Sequence, residues 1–339
     1  MSDAPAVKPP TAYRATTVLL LREGSGLEAF LLERTSKSSF MPSAYVYPGG
    51  RLEPADGSPE LLARVSGRSP LQCAEAIGFR SLPSTEVARG EPPWALALAS
   101  KNSEPGMTQS RVNPKGCEQN ASNDALENVA TSCFVAGIRE SFEEAGVLIA
   151  HRASDETRSL LDLSDPVNAE VFASWRRSIH ARERSFLEMA IGEDLVFPLD
   201  YLHPFAHWIT PECERKRFDT WFFLTLAPAN QTLTHDDLET VASEWLAPAK
   251  ALERHARGHL HLFPPTFRTL EEVAQFDSWD GVVAYASSIP KPPIMPAFET
   301  IDGELVAILP GDERYPDATV APAVGGTRIA LQDGHWRSL

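Results

Sequence analysis

The chain has too little positive charge to be a general nucleic-acid binder. It carries 31 Lys and Arg against 46 Asp and Glu, a formal net charge of −15, whereas phosphate-backbone binding needs an excess of cations. No nucleic-acid partner is therefore expected. A small phosphorylated ligand remains compatible, because a bound divalent cation inverts the local field. Cysteine is also scarce. Cys73, Cys117, Cys133 and Cys213 show neither C-x-x-C nor finger spacing, which excludes a disulfide framework and a cysteine-type zinc module. Reduced thiols and a cytoplasmic location are the expectation. No apolar run reaches the roughly 18 residues of a membrane span. Met1–Pro10 lacks an apolar signal segment, so no membrane partner is expected either. No internal repeat is evident, and a homodimer is left open.

What is present is the composition of a globular protein, with 43% hydrophobic and 23% charged residues. A length of 339 residues suits one enlarged domain or two units. Thr16–Leu21 is apolar and β-branched and reads as a strand, paired through the Gly24-Ser25-Gly26 turn with residues 28–33. A short strand at Tyr45–Tyr47 ends at Pro48-Gly49-Gly50. Residues 57–122 read as an insertion, with helix fragments near 59–65 and 71–78 and a flexible loop over 100–122. The spacing predicts a helix over 124–145, with N-caps on offer at Ser122, Asn123 and Asp124 and a stop at Gly146. A single helix is expected over 167–190, with Trp175, Ile179 and Phe186 on one side. Strands follow at 205–209 and 220–226, then short helices at 248–255 and 268–276. From 281 onward the chain reads as strands and loops.

The helix at 124–145 carries the chemistry. At 100° per residue, Glu140, Glu143 and Glu144 fall within one face spanning about 100°, and Val135, Ile138 and Phe142 fall opposite. Three carboxylates so close repel unless something positive sits among them. Oxygen ligands at this density suit Mg²⁺ or Mn²⁺. Arg139 stands four residues before Glu143 and is spaced to pair with it. Taken alone, the pattern is most often a solvated acidic face. The Gly49-Gly50 turn upstream, taken alone, is a plain turn whose glycines permit close backbone approach.

Together the two resemble the Nudix box, G-x5-E-x7-R-E-U-x-E-E-x-G-U. Arg139, Glu140, Glu143, Glu144, Gly146 and Val147 stand in its second half, with Ser141 in an aliphatic slot; Gly50 stands in the first half, with Asp56 in the glutamate slot. The x7 spacer has grown to 82 residues, Gly57 to Ile138. Such growth is tolerable because loop-closure cost rises slowly with length. Leu31-Leu32-Glu33-Arg34-Thr35, then Phe40–Gly50, Phe218–Phe223 and Pro310–Glu313 resemble a Nudix subgroup with the same split box, the one that includes the peroxisomal coenzyme A diphosphatase.

The resemblance implies an α/β (α+β) Nudix fold, a mixed sheet between helices. It implies a Nudix domain over 11–260, interrupted at about 57–122, and a C-terminal extension over 261–339 packed on the core. The implied reaction is hydrolysis of a nucleoside diphosphate linked to another moiety, first of all coenzyme A or an acyl-CoA. ADP-ribose, a nucleotide sugar or NADH is the alternative substrate, and a silent nucleotide-binding module is the alternative class. Glu140, Glu143 and Glu144, with a Gly49 or Gly50 carbonyl, would hold Mg²⁺ or Mn²⁺, and Arg139 and Glu143 would serve catalysis. Glu244, which precedes Trp245, matches a carboxylate that completes such sites as ligand or general base, with Glu239 as the nearby alternative; its plain reading is a surface carboxylate beside a packed tryptophan. Arg34 and Arg217 are candidate substrate-phosphate contacts, weighed against a strand-end arginine and a solvated turn. His255, His259 and His261 read as ordinary imidazoles ahead of a zinc set.

Overall fold

The computed structural model describes residues 10–38, 41–79, 117–236, 238–317 and 326–339. At its centre lies β1 (Tyr13–Glu23), whose residues alternate between two buried faces. Val18 and Leu20 join one core, Leu19 and Leu21 the other. β2 (Leu27–Arg34) repeats the pattern with Phe30 and Leu32 against Ala29 and Leu31. A strand buried on both faces needs a continuous apolar run, and these two supply it.

The sheet is mixed. β1 is antiparallel to β2 and to β4 (Gly49–Arg51), and parallel to β9 (Phe218–Leu226). β3 (Tyr45–Val46) pairs with β2. Beyond β9 come β8 (His203–Ile209) and then β11 (Pro293–Ile294), and β10 (Thr240–Leu246) pairs with β2 on the other side. Helix α3 (Cys117–Ala145) covers one face, packing Val135, Ile138 and Phe142 against the strands as the spacing predicts. Two short helices, α1 (Pro59–Leu62) and α2 (Pro70–Ala76), precede it close to their expected places. The expected loop at 100–122 lies outside the described residues up to 116, and over 117–122 the chain is helical instead.

Three expectations change. Helix α3 does not start at Ser122–Asp124 but runs through them from Cys117. Its polar first turns carry no break, and cap-forming residues did not stop it. The helix expected over 167–190 is two, α4 (Pro166–His180) and α5 (Phe186–Gly192). Arg182 takes a left-handed φ of 57° between them, and Ser185 restarts the chain as N-cap by accepting from the Glu188 amide at 3.1 Å. Third, the tail is not all strand and loop. Ser278 accepts from the Gly281 amide and caps α8 (Trp279–Ser288).

The second face of the sheet is covered by α6 (Pro248–Ala256), α7 (Pro264–Val273) and α8. A four-stranded antiparallel sheet also packs there: β12 (Ala297–Ile301), β13 (Glu304–Ile308), β14 (Arg328–Gln332) and β15 (His335–Ser338). Its Ala307, Leu309, Ile329 and Trp336 join the same core. A separate three-stranded sheet of β5 (Val65–Ser66), β6 (His151–Arg152) and β7 (Leu195–Pro198) adds Leu195 and Phe197 to the first core.

One buried acid makes this layer pH-sensitive. Burial pushes Glu272 on α7 up to about 7, although the Tyr285 hydroxyl donates to it at 3.1 Å. The folded state then binds a proton that the unfolded chain has released, so stability falls as pH rises from about 4.5 to about 7. Glu272→Gln is expected to remove this slope and gain up to roughly 3 kcal/mol at pH 8. Denaturant midpoints of both proteins at pH 5 and pH 8 check it; parallel shifts would contradict it.

Candidate active site

The box helix ends at an electrostatic disadvantage. Glu140, Glu143 and Glu144 sit in its last two turns, where the helix dipole is negative, and the final turn itself carries no basic residue. Gly146 closes the helix with φ of 72°, and the Val147 amide reaches back to the Ser141 carbonyl at 3.1 Å. Partners for the helix end come from α4. The Arg176 guanidinium donates to the Glu143 carbonyl at 2.8 Å, and His180 Nε2 lies 2.9 Å from the same oxygen. Neither residue figured in the sequence reading, because the α4 register against α3 is a tertiary fact.

Arg139 joins the two halves of the box. Its Nε donates to Asp56 Oδ1 at 2.8 Å, and its Nη2 donates to Asp56 Oδ2 at 3.1 Å and to the Arg51 carbonyl at 2.8 Å. Nη1 lies 2.8 Å from Glu140 Oε1 and 3.5 Å from Glu143 Oε1. Asp56 is fully buried at the end of a 3-10 turn, Pro54–Gly57, where it also accepts from the Glu53 amide. The lost methylene is thus absorbed: Asp56 serves as the partner of Arg139. The expected pairing with Glu143 is present and is the longest of these contacts.

The carboxylates are not displayed on an open face. Glu140 and Glu144 are each only 8% exposed, at the base of a cleft of about 1710 Å³. The Gly49 amide donates to Glu144 Oε2 at 2.9 Å. At Gly50 the Glu140 carboxylate lies where a β-carbon would stand, so any side chain there must displace it. Gly50→Ala is expected to push Glu140 aside and lower turnover by about 10- to 100-fold with little change in melting temperature. Steady-state rates and a thermal melt check it; unchanged rates would refute it.

Burial raises all three glutamates above the usual carboxylate range. For Glu140 the Arg139 charge opposes this and Glu143 adds to it; for Glu144, Glu140 adds to it. Among the described residues, no three His, Cys, Asp or Glu converge as a ready-made metal cage, and Arg139 now serves as the internal counter-ion. The donor chemistry fits a divalent cation all the same. Three carboxylates crowded at a negative helix end, with one arginine among them, gain from a hard cation.

The other candidates divide. Arg34 is brought to the cleft: it donates to Ser38 Oγ at 2.9 Å, lies 3.6 Å from Glu239 Oε2, and its charge acts on Glu144. Glu244 is not. In the β10–β2 register it stands opposite Leu31, while Trp245 stands opposite Phe30 and packs on its ring at 5.2 Å. Glu244 therefore points to the sheet face away from α3, where Arg254 Nη1 donates to it at 2.7 Å. Glu239, in contrast, lines the cleft. Arg217 is not brought there either. It is buried and clasps the chain, donating to the Thr210 carbonyl at 3.0 Å and the Pro10 carbonyl at 2.8 Å. His255 is buried, with Nδ1 and Nε2 facing the Leu260 and Trp336 carbonyls. Arg217→Ala is expected to cost about 1–3 kcal/mol of stability and Glu244→Gln very little, both without a specific rise in KM. A large KM increase in either would restore the substrate or catalytic reading.

Comparison with known proteins agrees with this geometry. The model of the NUDT19 Nudix domain matches residues 7–273. A Xenopus laevis protein called acyl-coenzyme A diphosphatase NUDT19 is 24% identical over 86% of this chain and 72% of its own. The Homo sapiens protein of that name is 27% identical over 86% of this chain and 72% of its own. A crystal structure of a Nudix hydrolase from Alicyclobacillus acidocaldarius superposes with a TM-score of 0.53 at 19% identity, covering 81% of this chain and 96% of that one, which supports the fold. Enzymes of this kind generally use divalent metal ions. No helix among the described residues is long and apolar enough to cross a membrane. With the two half-motifs joined in space at Asp56 and Arg139 and the match extending over most of the chain, this protein belongs to the NUDT19 family of Nudix hydrolases.

Proposed function

We propose that the chain hydrolyses the diphosphate of coenzyme A or an acyl-CoA, giving 3′,5′-ADP and (acyl-)4′-phosphopantetheine. The observation that carries this is the reassembled box at the base of a cleft large enough for such a substrate. Relatives called acyl-coenzyme A diphosphatases support the choice of coenzyme A. Glu140, Glu143 and Glu144, with a carbonyl of Gly49 or Gly50, would hold Mg²⁺ or Mn²⁺. When bound, such an ion neutralises diphosphate charge and makes a water acidic enough to attack phosphorus.

The chain's own residues do the rest. Arg139 fixes Asp56 and holds Glu140 and Glu143 in register. Arg34 meets the anionic substrate from the other side of the cleft, since a guanidinium suits phosphate oxygens. Glu239, beside Arg34, is the carboxylate placed to accept the proton of the attacking water. A cytoplasmic setting fits the buried thiols of Cys73 and Cys133, whose ionisation burial suppresses.

A panel of CoA, acetyl-CoA, ADP-ribose, a nucleotide sugar and NADH, assayed with Mg²⁺ or Mn²⁺ in H₂¹⁸O, tests the proposal. The expected result is CoA or acyl-CoA cleavage with one ¹⁸O in a product phosphate. Intact CoA beside cleaved ADP-ribose would transfer the assignment to that alternative, and no turnover of any would favour a silent module.

A further inference from the structure

The loop that leads to Glu239 is tied to the end of the box helix, and the tie is an arginine on α4. Arg176 divides its guanidinium among three acceptors on two segments. Its Nε donates to the Glu143 carbonyl at 2.8 Å, its Nη1 to Thr234 Oγ1 at 3.0 Å and its Nη2 to the Thr234 carbonyl at 3.0 Å. The Glu143 carbonyl is open to this contact because Gly146 turns the chain. The Val147 amide, which a continuing helix would aim at Glu143, reaches the Ser141 carbonyl instead. A β-carbon at residue 146 would stand 3.1 Å from Arg176 Nη1, so the same glycine leaves room for the guanidinium. The Thr234 amide adds a bond of its own to the Ala145 carbonyl at 3.0 Å. Beyond Thr234 the loop is held in a turn. Asp236 Oδ1 accepts from the amides of Leu238, Glu239 and Thr240 at 3.1, 3.2 and 3.0 Å, and from the Thr240 hydroxyl at 2.8 Å. The Thr35 amide donates to the Glu239 carbonyl at 3.0 Å. On the other side of Thr234, the buried Gln231 side chain accepts from the Leu148 amide at 2.9 Å and donates to the Leu148 carbonyl at 3.0 Å. Thr234 is the point between these fixed stretches where the loop meets the helix end.

We propose that Arg176 is a positioning residue for the hydrolytic reaction: it sets the separation between the carboxylate-bearing end of the box helix and the loop that presents Glu239. This role rests on Glu239 being the proton acceptor of the proposed reaction. Arg176 does not line the cleft, so it acts through Glu143 and Thr234 and not on the substrate. An arginine that served only to close a helix end would need one carbonyl. A planar fork of donors is the group that holds two segments at a fixed spacing. The leverage is large, because misplacing a reacting group by about 1 Å can cost about 10²-fold in rate. Loss of the fork lets the loop drift from the helix end and takes the Glu239 carboxylate away from the water it deprotonates.

The test is a double-mutant cycle in the full chain with Mg²⁺, run on the diphosphate that the parent cleaves, CoA first, so that a wrong substrate assignment does not touch it. Arg176→Gln is expected to lower kcat about 10- to 100-fold. KM and the Mg²⁺ concentration for half-maximal rate are expected to stay within about twofold of the parent. Arg176→Lys keeps the charge without the fork and is expected to recover only part of the loss. In a Glu239→Gln background the Arg176→Gln change is expected to lower kcat by less than about threefold, because the group it places is already disabled. Thr234→Val removes the hydroxyl acceptor and leaves the bond to the Glu143 carbonyl in place. It is expected to reproduce part of the kcat loss, again only where Glu239 is intact, so the proposal remains testable if Arg176→Gln does not fold. Equal losses in both backgrounds, or a fall in kcat accompanied by a higher Mg²⁺ requirement, would make Arg176 a support of the helix end alone and overturn the proposal. Parental kcat in Thr234→Val and in every folded Arg176 variant would overturn it too. Parental kcat in Glu239→Gln by itself would instead remove the base reading on which this role rests.

Discussion

Replacing Glu144 by Gln is expected to lower kcat on the order of 10²- to 10³-fold while the protein still folds. The side chain is nearly isosteric, and its oxygen still accepts from the Gly49 amide, so the strand–helix joint survives. What disappears is one negative charge beside the buried Glu140 and the half-buried Glu143. For folding that change is favourable, because burial and Glu140 both oppose ionisation at this position. For turnover it is costly, because a divalent cation is held by the charge and not by the shape. Glu143→Gln is expected to behave alike, with a smaller gain in stability, since Glu143 is the more exposed of the two. Steady-state rates and thermal melts on the same samples separate the effects. Near-normal turnover in both variants would eliminate the metal-holding role; loss of folding in both would make them structural acids.

Arg139→Ala is expected to be the most damaging single change to the fold, about 3–5 kcal/mol. Removal of the guanidinium strands Asp56, which has no exposure, and leaves Glu140 without its nearest cation. The Arg51 carbonyl loses its donor as well. Asp56→Asn should cost less, because Asn keeps an acceptor and forfeits only the charge. Combining both changes should be less than additive, since the second removes a charge the first had left unpaired. Urea unfolding of the two single variants and the double variant measures this directly. Strict additivity would mean that the pair contributes nothing as a pair.

Much of the site was legible because the helical half of the box is local. Spacing alone set Glu140, Glu143 and Glu144 on one face and Val135, Ile138 and Phe142 on the other, and Gly146 marked the end. The pairing of Asp56 with Arg139 was foreshadowed only by the box pattern. What stayed hidden depends on register between distant segments. Glu244 looked suitable beside Trp245, but a strand sends neighbours to opposite faces, and the pairing with β2 decides which neighbour meets α3. Arg217 looked like an anion contact because its carbonyl partners, Thr210 and Pro10, lie far away in the chain or have no side-chain signature. Helix α8 was missed because Val282, Val283 and Tyr285 favour strands, and packing on the second core outweighed that propensity. The burial of the carboxylates was likewise invisible, because charge pattern gives a helix face and not the depth at which it sits.

The bridge from Asp56 to Arg139 spans 83 positions in sequence. An uninterrupted box would bring its acid, its arginine and its glutamates together within one short stretch of newly made polypeptide. Here that is impossible. During synthesis the Gly-Gly strand emerges from the ribosome well before the helix that carries the glutamates, and seconds pass between them at ordinary elongation speed. Until both have emerged and docked, Asp56 and Arg139 are without each other. The buried pair therefore forms late, as a certificate that the long loop has closed.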